Sequence, residues 1–233
     1  MEYVLHNIKP AYLSQMRRPG PPNETKTIDV RVPDPKDKLK RFERLKENDY
    51  VLFVDTRRDA LRVRVKFVRH YASAEELIRS EGAHNVWPGC TLEEAVERCL
   101  QFPGYRERVS DYGIYAIGFT KLVGYVSGPY SSPDPRVRAR NVENSRRVGV
   151  ALAKLGYLAF TPNQALEGWE RYGLGYEGCL ALELDWIGKV DFFYFIGPSK
   201  GAIIELAETL KQSGMPIFSS LERLRKWLPE VIA

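Results

Sequence analysis

The sequence predicts an α+β chain of two domains, a β-barrel-like half over residues 1–120 and a parallel α/β half over residues 121–233, on three observations. Before Phe119 the chain reads mostly as strands, among them the strictly alternating LRVRVKFV (61–68). After Phe119 the rhythm changes to strand, helix, strand, helix, which implies a parallel sheet with helices on both faces. The 233 residues suffice for two domains of ordinary size, and no Pro/Ser-rich linker divides them.

In the first half the strands are YVLHNI, TIDVRV, DYVLFV, LRVRVKFV and GIYAIGF. Alternation in the fourth puts Leu61, Val63, Val65 and Phe67 on a core face and Arg62, Arg64 and Lys66 on a solvated one. Two short helices are expected between the fourth and last strands. Ser73 with Glu76 and Thr91 with Glu94 have the spacing of capping boxes at their starts. The segment Arg17–Lys26 is the most loop-like stretch.

In the second half LVGYVSG reads as a buried strand, VENSRRVGVALAKLG as a helix ending at Gly156, and YLAFTP as a second strand. YEGCLALELDWIGKV is helical, VDFFYFIG is a very apolar strand, and KGAIIELAETLKQSG is a helix closed by Gly214. MPIFSS and SLERLRKWLPEVI supply a last strand and helix. PYSSPDPRVRARN (129–141) reads as a loop whose Arg136, Arg138 and Arg140 can close over a phosphate or simply face water.

Composition narrows the classes. With 44% hydrophobic and 28% charged residues, a mostly disordered chain is excluded. No apolar run approaches the roughly 20 residues that cross a bilayer, so no membrane partner and a cytoplasmic location are expected. Cys90, Cys99 and Cys179 show no C-x-x-C pairing, which points to reduced structural thiols rather than disulfides or zinc. His70 and His84 are too isolated to ligate a metal, and neither a metal nor a cofactor is expected. The net charge of +5 permits an anionic partner without requiring one.

The chemistry concentrates where the apolar strand meets the next helix. Pro198, Ser199, Lys200 and Gly201 join them, and the unpaired N–H groups of a helix start, with a hydroxyl and a glycine beside them, suit a phosphate. Glu205, about one turn on, can reach the same crevice. The alternative from spacing alone is that Ser199 is only an N-cap and Glu205 only a solvated helix residue.

PSKGAIIEL (198–206) resembles the Pro-Ser-x-Gly-x-x-x-Glu-Leu segment of 2'-deoxynucleoside 5'-phosphate N-hydrolases and of the wider nucleoside 2-deoxyribosyltransferase superfamily, whose fold is Rossmann-like. GYVSGPY (124–130) is similar to the superfamily's first strand and turn, which brings in Tyr125, Ser127 and Gly128. The resemblance implies a nucleotide or nucleoside ligand and an N-glycosidase or transferase activity. Ser199 and Gly201 would hold the 5'-phosphate, and Glu205 would attack or stabilise the anomeric carbon; from the arginine loop, Arg138 is the added candidate for the phosphate. Glu183 falls on the position of a second acid, with Asp185 as the fallback. Relatives of this type often complete their sites across a homodimer. Many also carry a carboxylate after the third strand, where this chain has Ile196, Gly197 and Pro198, a departure that argues against transfer.

KTIDVRVP followed by NDYVLF is similar to an ASCH domain, a branch of the PUA-like β-barrels. That likeness implies RNA or a modified nucleobase as partner, with Lys26, Asp29 and Arg31 as the binding residues and Trp87, Phe102 or Tyr105 as stacking surfaces. Asp29 stands where the nucleophilic Thr of ASCH amidohydrolases falls, which argues against that hydrolysis. Two other readings stay open from sequence: a nucleotide sensor without catalysis, and an RNA-binding protein with a silent second domain.

Overall fold

The computed structural model describes residues 2–18, 24–36, 42–212 and 214–227. The chain forms two compact units, Met1–Lys121 and Leu122–Ala233. Most of the loop-like stretch expected after Arg18, and residues 228–233 of the expected final helix, lie outside the described residues.

In the first unit β1 (Glu2–Ile8), β2 (Ile28–Arg31), β3 (Tyr50–Asp55), β4 (Ala60–Tyr71) and β5 (Ile114–Lys121) form one mixed sheet in the order β1-β3-β4-β5-β2. Only β1 and β3 run parallel. One core cluster joins Leu5, Phe53, Leu61, Val63 and Val65 to Leu13 and Met16 of α1 (Pro10–Arg17), and a second joins Ile28, Val30 and Ile114 to Leu77, Trp87 and Cys99. Apolar groups thus leave water in two separate clusters, and both include helical residues as well as strands. The core is therefore not all-β. Four helices, not two, separate β4 from β5: α2 (Ala74–Glu81), α3 (Ala83–Val86), α4 (Leu92–Leu100) and α5 (Tyr105–Tyr112). The Thr91–Glu94 capping box forms, whereas Glu76 turns its carboxylate to the Ala72 N–H while Ser73 caps α2. α5 gives little sequence signal because Val109 is its one buried residue and its N-cap, Gly104, has no side chain.

The alternation of β4 is broken. Val65 pairs with Phe119 but Phe67 with Gly118, so Lys66 is an extra residue in the ladder. Beyond it the faces exchange: Val68 packs with the first cluster and Phe67 with the second. Phe67 therefore does not share a face with Leu61, Val63 and Val65. Nor is the basic face solvated throughout, since Arg62 is buried on a strand flanked by β3 and β5.

In the second unit β6 (Val123–Ser127), β7 (Leu158–Phe160), β8 (Phe192–Phe195) and β9 (Ile217–Phe218) are all parallel, in the order β7-β6-β8-β9. They alternate with α6 (Pro135–Lys154), α7 (Pro162–Ala165), α8 (Tyr176–Ile187), α9 (Lys200–Lys211) and α10 (Leu221–Lys226). Tyr125 stacks on Phe193, with ring centroids 5.5 Å apart, and Phe160 on Trp186 at 4.4 Å. α6 starts at Pro135, so the expected arginine loop is helical: Asp134 accepts the Arg136 N–H as N-cap and Pro135 occupies the first turn. The first and third strands of this unit are neighbours, and the second lies on the far side of the first. That order creates a switch point between the ends of β6 and β8, where an open α/β sheet leaves a crevice.

Candidate functional site

At that switch point lies a cavity of about 670 Å³, walled by the turn after β6, the starts of α7 and α9, and one face of α8. Period two on β6 puts Tyr125 and Ser127 on one face. Ser127 Oγ donates a hydrogen bond to Glu205 Oε2, and Glu205 is only 5% exposed on α9. Ser199 is the N-cap of that helix, accepting the Ala202 N–H at 3.1 Å, and its hydroxyl proton remains available to a ligand.

α8 presents Tyr176, Cys179 and Glu183 to the cavity, at spacings of three and four that keep them on one face. Burial pushes the Glu183 carboxyl up to about 8, helped by the charge of Glu205 and a hydrogen bond to it. Tyr125 lies beneath them, fully buried; its hydroxyl has no hydrogen-bond partner of good geometry, and burial with the nearby Glu205 and Glu183 charges drives its pKa far up.

Glu205, Glu183, Ser199, Gly201, Gly128 and Arg138 all line this one cavity, and Ser127 reaches it through Glu205. Asp185 does not: it is exposed, because two residues along a helix is more than half a turn from Glu183. Arg136 and Arg140 are likewise exposed, on other faces of α6 than Arg138. Gly128 is required by packing, since a Cβ there would come within 2.9 Å of Ile196 Cβ. Gly201 is not so constrained; a Cβ would meet only Tyr176 Oη at 3.6 Å.

Sequence reasoning missed Asn163, Tyr176, Cys179 and Lys200 on the cavity wall. The three-and-four spacing leading to Glu183 was a usable signal for Tyr176 and Cys179; Asn163 has none, because its place depends on where β7 ends beside β6. Lys200, at the first turn of α9, holds its ammonium 5.6 Å from the centre of the Tyr176 ring.

The first unit arranges its candidates differently. Lys26 is 1% exposed; its Nζ donates to Val86 O at 2.7 Å and lies 4.4 Å from the centre of the Trp87 ring. Burial lowers its pKa to about 8, against the opposing pull of Asp29. Asp29 is buried as well and accepts Arg31 Nε at 2.7 Å. Lys26 and Asp29 therefore form the interior of a polar cluster, not a basic face offered to RNA phosphates, because strand β2 is packed under α3 and α4. Among the described residues no group of His, Cys, Asp and Glu could hold a metal, and no helix is long and apolar enough to cross a membrane.

The second unit thus has a doubly wound parallel sheet with a paired-carboxyl cavity at its switch point. No family model and no curated protein matches the chain. Two solved structures are similar to half of it. One, titled hypothetical protein PH0355, is 29% identical over 51% of this chain and 97% of its own, with a TM-score of 0.41. The other, protein PF0455 from Pyrococcus furiosus, is 29% identical over 51% of this chain and 96% of its own, with a TM-score of 0.37.

Proposed function

We propose that the second unit is a Rossmann-like N-glycosidase of the nucleoside deoxyribosyltransferase type, acting on a nucleoside 5'-phosphate. The observation that carries this reading is the Glu183–Glu205 pair, in which one acid is held protonated near neutrality beside another in a cavity that also holds a helix start. Cleaving a glycosidic bond needs both states of a carboxyl group: an ionised one against the cation-like sugar, and a protonated one for the departing base. Glu205 takes the first role, oriented by the Ser127 hydroxyl, and either stabilises the anomeric carbon or bonds to it. Glu183 takes the second and gives its proton to the leaving base nitrogen. Water then supplies the hydroxyl of the sugar phosphate and returns a proton to the pair. The phosphate sits at the N–H groups that open α9, with Ser199 and Arg138 as donors.

For the first unit we propose an ASCH-like role in recognising a modified nucleobase, supported by Phe102 and Tyr105, which stay partly exposed beside Arg31 over the buried Trp87 and Lys26. The test of the main reading is a screen of nucleosides and nucleotides for released free base, with Glu205→Gln as control. Base release that persists in Glu205→Gln, or is absent for every nucleotide tried with the wild type, rules it out.

A further inference from the structure

Asn163, in the short helix α7 that follows β7, is 7% exposed and lines the cavity. Its Nδ2 donates to Pro129 O at 2.9 Å, to Ser145 Oγ at 2.9 Å and, more weakly, to Gly128 O at 3.4 Å. Backbone carbonyls can only accept, so these contacts determine which end of the amide is nitrogen. Both amide hydrogens are thereby used within the protein. The carbonyl end is in the opposite situation: among the described residues no group donates to Oδ1, yet it is not one of the sealed, unpartnered atoms of the interior and so keeps accessible surface. An unpaired acceptor at a cavity wall loses its hydration when a ligand enters, and only a ligand that brings an N–H or O–H restores the bond.

Position along the sheet says which part of a nucleotide that is. In the order β7-β6-β8, the α9 start follows β8, Ser127 ends β6 against Glu205, and Asn163 follows β7. A ligand with its phosphate at α9 and its anomeric carbon at Glu205 extends its base toward the β7 end. We infer that Asn163 Oδ1 is a specificity determinant that selects amino-bearing bases, adenine or cytosine, over their oxo counterparts. This rests on the proposed placement of phosphate and sugar. An oxo oxygen opposite Oδ1 would set two acceptors against each other, while an exocyclic amine donates to it.

The test is calorimetric binding of four 2'-deoxynucleoside 5'-phosphates, carrying adenine, hypoxanthine, cytosine or uracil, to the full chain. Glu205→Gln prevents turnover, and Glu183→Gln is the second background. The expected result is a preference of about tenfold or more for each amino base over its oxo partner. That ratio should collapse to within about twofold in Asn163→Ala, or in Asn163→Ser if the alanine variant does not fold. Ser145→Ala, which removes one acceptor of Nδ2 and leaves Oδ1 alone, should keep the preference. Equal binding of amino and oxo bases, failure of all four to bind, or a preference that survives both Asn163 substitutions overturns the inference. A wild type that releases no base, while the Glu205→Gln and Glu183→Gln backgrounds show an amino preference that Asn163→Ala abolishes, defeats the glycosidase reading and leaves this one standing. Base release with no amino preference does the reverse.

Discussion

Ser127 at the end of β6 donates its hydroxyl proton to Glu205 in the second turn of α9, across 78 residues of sequence. A buried carboxylate needs such a donor to stay oriented, and among the described residues the carboxylate is the acceptor that the hydroxyl finds. The bond orients the Glu205 carboxylate in the cavity that Glu183 also lines from the neighbouring helix α8.

Glu205→Gln is expected to lower base release by about a thousandfold or more while nucleotide affinity stays near wild type, because a lost charge matters mainly in the transition state. Ser127→Ala should lower release less, by roughly 10- to 100-fold, the worth of one hydrogen bond to a charged group. Single-turnover rates beside calorimetry check both; a large affinity loss in Glu205→Gln would mean that the carboxylate serves binding.

The raised pKa of Glu183 has two consequences with definite signs. As the proton donor it is competent below about 8, so base release should fall as pH rises through that value, and the limb should vanish in Glu183→Gln, whose residual rate is flat there. For stability, the folded state holds this proton more tightly than the unfolded chain, whose carboxyl titrates near 4.5. Its contribution is fully present below about 4.5 and is lost as pH rises through about 8. Melting temperatures of wild type and Glu183→Gln should diverge over that window, with the variant gaining relative stability toward alkaline pH.

Ser199→Ala should weaken binding of a nucleoside 5'-phosphate by about 1–3 kcal/mol and leave the unphosphorylated nucleoside almost unchanged. The same substitution removes the N-cap of α9, costing roughly 0.5–2 kcal/mol of stability. Comparing the two ligands separates the effects, since a cap defect alone would weaken both equally.

Gly118→Ala tests the bulge of β4. A Cβ at that position would lie 2.3 Å from the Phe67 ring, which the extra residue Lys66 turns over the glycine. Overpacking of this kind costs about 1–3 kcal/mol. Chemical denaturation should show it, and adding Phe67→Leu should recover part of the loss; additive losses would refute the contact.

Lys26→Met should leave any salt-dependent RNA binding of the protein unchanged, because the ammonium is enclosed by Trp87 and Val86 rather than presented to solvent. Titration of labelled RNA against both proteins at low salt decides it. A shallower salt slope in the variant would show that the cluster opens to a phosphate.

Much of the architecture was legible because it rests on local signals. The apolar run 192–195, the Thr91–Glu94 box and the Ser199 cap each depend on residues a few positions apart, and each element stands where those signals put it. α6 begins earlier than its sequence pattern predicts, because Asp134-Pro135 is a helix start set among prolines and serines that carry loop signals. The Lys66 bulge was invisible, since an alternating pattern carries no mark of where its ladder partner slips by one residue.

The site divides the same way. That Ser199, Gly201 and Glu205 share one helix start was legible along the chain, because 3.6 residues per turn is a local property. Packing settles which of the two acids meets Glu205. Glu183 and Asp185 are equivalent by composition, and the packing of α8 beside α9 turns one inward and the other to water. It likewise decided that Lys26 is a buried group, since a charge in a strand pattern reads as solvated until the helices that cover it are placed. It also put Asn163 on the cavity wall. That depends on the lateral order of β7 and β6, a non-local pairing that no spacing along the chain records.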